Sequence, residues 1–449
     1  MKKINNPQRP YCLVLSGGGA KGIYHIGVWK ALRELQIPVN AFIGNSIGAI
    51  IAGFLAQEEW DVLMDIGNNI SIDFILNIPE EFIEDGELSI GKQQISSYYQ
   101  FYKKIIKNRG LDTGPLRSLL YDNLDEKKIL SSGHDLGVVT YNLTDMKPRE
   151  VFIEEMERGA VLEYLLASAA FPGFKSPEIA RNQYIDGGVY NNIPYAMARK
   201  RGYRNIIVVD ISGVGFNKKI EIQGSQTIYI KSSIKMGGVL DFNREFLDDF
   251  LKLGYLDTMR TFEMLHGYNY FITEDIHMES RFTEFISSLD PAEIGPAPDA
   301  EDRKEQPPVF HIRGLLPEKM KYDLRLLLVL LDCAATVLDI PRIEQYDCRQ
   351  LLTAVAEKKS AIENRISDFS RGGSSESAGH PHMRVEVILK EAFEKMSFNE
   401  PAYYYHLLMR QILPEKTPAI LKNGMNRFFS ELTAACFFFR IMDRFVKEL

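Results

Sequence analysis

The chain has 449 residues, 53 of them basic and 60 acidic, for a formal net charge of −7. Its 45% apolar and 25% charged residues exclude a disordered chain or a low-complexity fibre, and the acidic balance argues against a whole-chain nucleic-acid binder. Four scattered cysteines, Cys12, Cys333, Cys348 and Cys436, with no CxxC pair, exclude a disulfide scaffold and a zinc ribbon and point to a reducing compartment.

Met1-Lys2-Lys3 is followed by Asn5–Pro10, and the apolar run Tyr11–Leu15 is too short for the core of an export signal. Tyr11–Ser16 reads as a strand running into glycines. Ile23–Leu35 has helical spacing, Ala41–Gly44 is a second short strand, and Ile47–Leu55 is a small-residue apolar helix. Residues 56–130 read as helices and loops with no repeated strand. Asp135–Tyr141 and Arg149–Ile153 flank Thr144–Pro148, a hairpin turn. Val161–Ala170 is helical and stops at Pro172-Gly173; Gln183–Ile185 and Asn205–Asp210 are further strands. Strands alternating with helices predict an α/β fold, a mostly parallel sheet with helices on both faces.

The length predicts about two to three domains. Gly295–Pro308 (GPAPDAEDRKEQPP) and Arg371–His382 (RGGSSESAGHPH) read as linkers, and almost everything after Pro308 reads helical. The part after Pro308 carries 20 basic and 18 acidic residues; the part before it carries 33 and 42. This asymmetry supports two units with different surfaces: a first domain over 1–295 and a helical one over 309–449. The greasiest stretch, Leu324–Leu338, is punctuated by Arg325 and Asp332. It is short of the roughly 20 apolar residues of a membrane span and reads as a buried helix.

Ser16–Gly22 (SGGGAKG) follows a strand and opens a helix. It satisfies G-x-G-x-x-G, yet the dinucleotide fingerprint also needs an acid about 20 residues on, where Phe42–Asn45 stand. The P-loop ending is missing as well. Backbone N–H groups of consecutive glycines at a helix start still suit a phosphate or a tetrahedral oxyanion; a tight turn with no ligand is the plainer reading.

Gly44-Asn45-Ser46-Ile47-Gly48 is a G-x-S-x-G between a strand and a helix, the setting of a nucleophile elbow. The bland alternative makes Ser46 a helix cap. None of the eight histidines, His25, His134, His266, His277, His311, His380, His382 and His406, sits in a glycine-bearing loop at a strand end. Asp186 does, in Tyr184-Ile185-Asp186-Gly187-Gly188. A carboxylate there can serve directly as the base for a serine if burial raises its pKa; the competing reading is an ordinary Asp-Gly turn.

In this order the three motifs resemble the patatin-like phospholipase family, over roughly Tyr11–Ser212. Ala167–Phe174 (ASAAFPGF) and Asn191-Asn192-Ile193-Pro194 are similar to two further family blocks, and Lys21 stands where many members carry arginine. The resemblance implies a three-layer patatin-like fold with a mostly parallel central sheet. It implies a Ser46–Asp186 dyad without catalytic histidine, metal or cofactor. It implies an oxyanion hole from the amides of Gly17, Gly18 and Gly19, and hydrolysis of fatty-acyl esters of the phospholipase A or lysophospholipase type. The partners then expected are a phospholipid or other acyl ester and, transiently, a membrane surface, with no nucleic acid. The expected location is the cytoplasm, with peripheral contact at the inner membrane surface. Two alternatives stay open: a non-catalytic lipid- or phosphate-binding module, and a hydrolase held off by its helical domain until a partner binds.

Two stretches are candidates for lipid contact. Met425, Phe428, Leu432, Cys436, Phe439, Met442, Val446 and Leu449 form an apolar stripe at helical spacing, flanked by Arg440, Arg444 and Lys447 but diluted by Glu431 and Asp443, which favours a core helix over an interfacial one. The aromatics of Glu58–Asn108 (Phe74, Phe82, Tyr98, Tyr99, Phe101, Tyr102) would suit a lid or a core.

Overall fold

The computed structural model describes residues 10–79, 83–84, 86–88, 110–290, 308–372 and 430–449. These residues gather into two compact units, within Met1–Glu263 and Met264–Leu449. The division therefore falls ahead of the proline-rich stretch near residue 300, which lies largely outside the described residues. The reason is packing: Phe282 and Phe285 pack against Phe445, the first edge-to-face and the second tilted, and so belong with the C-terminal helices.

The first unit is built on one sheet. Its strands are β1 (Tyr11–Leu15), β2 (Val39–Asn45), β5 (Asp135–Asn142), β6 (Lys147–Phe152), β7 (Glu178–Ile179), β8 (Asn182–Asp186), β9 (Asn205–Asp210) and β10 (Gln226–Lys231); a separate two-residue ladder joins β3 (Ile83–Glu84) to β4 (Glu87–Leu88). The sheet order is β10-β9-β1-β2-β5-β8-β7, with β6 also on β5. The run from β10 to β5 is parallel; β6, β7 and β8 add antiparallel pairings. Inner parallel strands are covered on both faces and read as unbroken apolar runs, and every residue of β1 is buried.

On one face Cys12, Val14, Ala41, Ile43, Ile206 and Val208 pack with Tyr195, Met197 and Ala198 of the helix Tyr195–Arg201. On the other lie α1 (Ile23–Glu34), α2 (Ile47–Ala56), the helix Val161–Ser168 and the helix Arg244–Thr261, which packs along α1. The result is a mostly parallel α/β sheet between helical layers. Helix α2 is apolar all round and buried almost throughout, as expected of a helix enclosed on every side.

The second unit is largely helical: Ile276–Ser288, Pro308–Leu315, Leu326–Val337, Cys348–Gly372 and Ser430–Glu448. Two three-residue strands, β11 (Phe271–Thr273) and β12 (Gln345–Asp347), pair in parallel; they are too short to show alternation in the sequence. Leu326–Leu331 is buried, as the sequence predicts. Asp332, embedded in that apolar helix, accepts the N–H groups of Tyr268, Asn269 and Tyr270 at 2.7, 2.9 and 3.1 Å. From Ser430 onward most of the apolar stripe lies in this core, with Leu432, Cys436, Phe439 and Met442 buried and Leu449 partly buried against it, while Val446 is exposed; Met425 and Phe428 lie outside the described residues. Among the described residues no helix is long and apolar enough to cross a membrane.

Candidate active site

Strand pairing explains why Ser46 and Asp186 meet. Strand β5 carries β6 along one edge, over Gly137–Asn142. Its other edge is shared by two strands in tandem. β2 runs parallel along it until Asn45 faces Val139, and β8 runs antiparallel until Asp186 faces Thr140. The carboxyl ends of β2 and β8 thus converge head to head on neighbouring residues of one strand.

At the end of β2 the chain turns sharply into α2. Ser46 makes the turn at φ 53° and ψ −129°, a conformation costly for any residue with a side chain and characteristic of a serine held out at a strand–helix elbow. The turn is tight because α2 lies close on β1: a Cβ on Gly48 would come within 2.5 Å of the Leu15 carbonyl oxygen. The strained peptide is held by a chain of hydrogen bonds. The Ser46 N–H donates to Ser168 Oγ at 2.9 Å, and the Ser168 hydroxyl donates to the Val139 carbonyl at 2.6 Å. Helix α2 has no side-chain cap, so its positive end faces Ser46.

Asp186 ends β8 and is buried. The Gly188 N–H at 2.7 Å and Asn45 Nδ2 at 3.1 Å both donate to its Oδ1, and the neighbouring Ser46 side chain also favours the ionised carboxylate. Burial pushes the Asp186 carboxyl above the usual carboxylate range, against the opposing pull of Ser46, Gly188 and Asn45. Asn45 Nδ2 is shared with Asn192 Oδ1 at 3.1 Å, and Asn192 Nδ2 reaches the Gly17 carbonyl at 3.3 Å. Asn45 and Asn192 thereby tie the glycine turn, the serine elbow and the aspartate loop into one buried network.

The glycine turn follows β1, the neighbour of β2. Gly17 departs from the expected oxyanion set, because its N–H already donates to the Asn192 carbonyl at 3.3 Å. No described residue accepts the Gly18 or Gly19 N–H, and both glycines line the cavity that holds Ser46 and Asp186. Lys21 does not enter the cavity. Its ammonium is buried against the Ser212 carbonyl at 3.2 Å, and burial lowers its pKa. His25 is buried too, its Nε2 donating to the Ser16 carbonyl at 2.9 Å; burial drops it to about 4, so the ring is neutral.

The cavity runs from the site between α1, α2 and the helices α3 (Trp60–Asn69) and Gly114–Asn123. Its walls include Ile23, Ile47, Ile51, Phe54, Leu63 and Leu116. Ser46, Asp186 and Asn192 supply its polar side chains, and no histidine, lysine or arginine lines it among the described residues. His380, His382 and His406, and with them Phe82, Tyr98, Tyr99, Phe101 and Tyr102, lie outside the described residues.

The patatin-like phospholipase family profile matches residues 13–199. The chain carries a patatin-like phospholipase domain. A patatin-like phospholipase domain-containing protein of Caenorhabditis elegans, ZK370.4, is 28% identical over 206 residues, which are 45% of this chain and 14% of that protein. Lysophospholipase NTE1 of Cryptococcus neoformans is 29% identical over 203 residues, 45% of this chain and 11% of that one. Human patatin-like phospholipase domain-containing protein 6 is 26% identical over 208 residues, 44% and 13% of the two chains. The match thus spans a small part of these relatives. Among solved structures, VipD from Legionella pneumophila aligns over 97% of this chain and 91% of its own, at 15% identity and a TM-score of 0.37.

The patatin-like sequence blocks contain every member of the buried network, but the sequence reading gave roles to only part of it. Asn45 is the variable position of G-x-S-x-G, and Ser168 belongs to the block before the aspartate. Neither carries a periodicity or spacing signal of its own. Their roles depend on the head-to-head meeting of β2 and β8.

Proposed function

We propose that the patatin-like domain is a lipid acyl hydrolase in which Ser46 and Asp186 act as a dyad. In this reading Asp186 takes the Ser46 proton as Oγ attacks the acyl carbonyl carbon. The backbone amides of the glycine turn, above all those of Gly18 and Gly19, receive the oxyanion. The ester C–O bond then breaks, and Asp186 returns its proton to the departing alcohol. Water repeats the sequence on the acyl-serine: Asp186 takes its proton, the fatty acid leaves, and Ser46 is reprotonated.

The carrying observation is a strained serine that shares with a buried carboxylate one cavity whose walls are otherwise apolar among the described residues. A carboxylate held above its usual range suits a general base near neutral pH. Apolar walls with no cation among the described residues suit an acyl chain and leave a charged head group outside. The phospholipase and lysophospholipase names of the relatives accord with such a substrate, in particular a glycerophospholipid.

The test is fatty-acid release from mixed phospholipid vesicles with a chelator present. Wild type releases fatty acid, and Ser46→Ala and Asp186→Asn each lose at least about 10³-fold in turnover. Equal release by all three proteins would overturn the dyad. Vesicle binding without release by wild type would favour a lipid-binding module on the same scaffold.

A further inference from the structure

Just beyond β9 the chain leaves the sheet as Ser212–Gly224, reading SGVGFNKKIEIQG. Within this loop Val214, Phe216 and Ile222 are 67, 71 and 59% exposed. Soluble surfaces seldom cluster large apolar side chains this way without a partner. Fraying does not explain their exposure, because the loop is pinned along its length. Lys21 Nζ holds the Ser212 carbonyl. The Phe216 N–H donates to the Gly188 carbonyl at 2.9 Å, and the Asn192 N–H donates to the Phe216 carbonyl at 2.7 Å. Arg199 donates to the carbonyls of Gln223 and Gly224 at 2.8 and 3.1 Å.

The middle anchors come from the loop that carries Asp186. Val214 lines the cavity of Ser46 while remaining largely exposed, so the apolar surface of the loop is continuous with the cavity mouth. Phe74, 41% exposed, adjoins in sequence the lining residue Ile75. Between Phe216 and Ile222 stand Lys218 and Lys219, both exposed, the first with its ammonium 3.2 Å from the centre of the Tyr190 ring. Glu221 is the one acid of the segment.

We propose that Ser212–Gly224 is the surface by which the domain docks on a lipid bilayer, with Phe216 and Ile222 entering the interface and Lys218 and Lys219 meeting anionic head groups. Apolar anchors flanked by lysines are the chemistry of interfacial binding, and continuity with the cavity opens the site towards the lipid. This assignment rests on the reading of the Ser46 site as a lipid acyl hydrolase and adds where that hydrolase meets its substrate.

The test uses the full chain with vesicles of phosphatidylcholine, alone or mixed with phosphatidylglycerol. A soluble short-chain ester, p-nitrophenyl butyrate, reports the site without an interface. Wild type sediments with the mixed vesicles. The double variant Phe216→Ser/Ile222→Ser, which keeps the backbone anchors, binds them at least about tenfold more weakly while hydrolysing the soluble ester as wild type does. Lys218→Gln/Lys219→Gln removes the preference for phosphatidylglycerol. A Phe216→Trp variant shifts its emission to the blue when vesicles are added. Equal vesicle binding by wild type and the serine variant, no binding by wild type, or an unshifted Trp emission would overturn the proposal. So would a wild-type dimer that the serine variant dissolves, which would assign the loop to a second copy. If vesicle binding depends on Phe216 but no protein hydrolyses either ester, the docking surface stands and the hydrolase reading fails.

Discussion

Asp186 is held in a state that costs stability. Burial raises its folded-state pKa above that of the unfolded chain, and Ser46, Gly188 and Asn45 offset this only in part. For a carboxyl shifted this way, the stabilising contribution is full below the ordinary carboxylate range and is lost as pH rises through the raised folded value. Ionising Asp186 therefore works against folding. Asp186→Asn keeps an oxygen acceptor for Gly188 and Asn45 and removes the buried charge, so it melts at a higher temperature than wild type at neutral pH while losing turnover. A lower melting temperature for Asp186→Asn at neutral pH would contradict the assignment. The same shift sets the rate profile: wild-type kcat/KM rises with pH through one ionisation above the ordinary carboxylate range, and residual turnover of Asp186→Asn lacks that limb. His25 contributes no limb near neutrality, because burial keeps it neutral down to about 4 and its ring is bound to Ser16.

At the scale of elements, a carboxylate in the second unit makes a separable prediction. Glu279, on the helix Ile276–Ser288, accepts the N–H groups of Leu327 and Leu328 at 2.8 and 3.3 Å and so caps the helix Leu326–Val337. Burial outweighs those donors and raises Glu279 to about 7. Its stabilising contribution is present below the usual glutamate range and is lost as pH rises towards and through 7. Glu279→Gln keeps the acceptor and cannot ionise. Urea unfolding at about pH 5 and about pH 8 should show wild type losing on the order of 2 kcal/mol more than Glu279→Gln on going to the higher pH; parallel behaviour would contradict the cap's titration.

How far such elements are legible in the sequence depends on how local their causes are. β1, α2 and the β5–β6 hairpin are written in apolar runs and turn residues, and the structure has them within a residue or two. The docking loop has no period to read, and its significance comes from Lys21, Gly188, Asn192 and Arg199, all distant in sequence. The same holds for Asp332, which reads as an interruption of an apolar helix and proves to be the acceptor for a backbone turn more than 60 residues earlier in the chain.

On the scale of the whole molecule, the charge asymmetry and the helical character of the C-terminal half are visible in composition. The division at Glu263 is not, because Phe271–Ser288 belongs with the second unit through contacts to β12 and to Phe438 and Phe445. The site, by contrast, lies wholly in the first unit, in blocks that keep their order along the chain. The central claim is that Ser46 is a nucleophile activated by Asp186. Labelling of the full chain with a fluorophosphonate probe, followed by peptide mass analysis, tests it most directly. The account predicts one adduct, on the peptide carrying Ser46, absent in Ser46→Ala and formed far more slowly in Asp186→Asn. Labelling that persists in Ser46→Ala, or a wild type that takes no probe at Ser46, would contradict it.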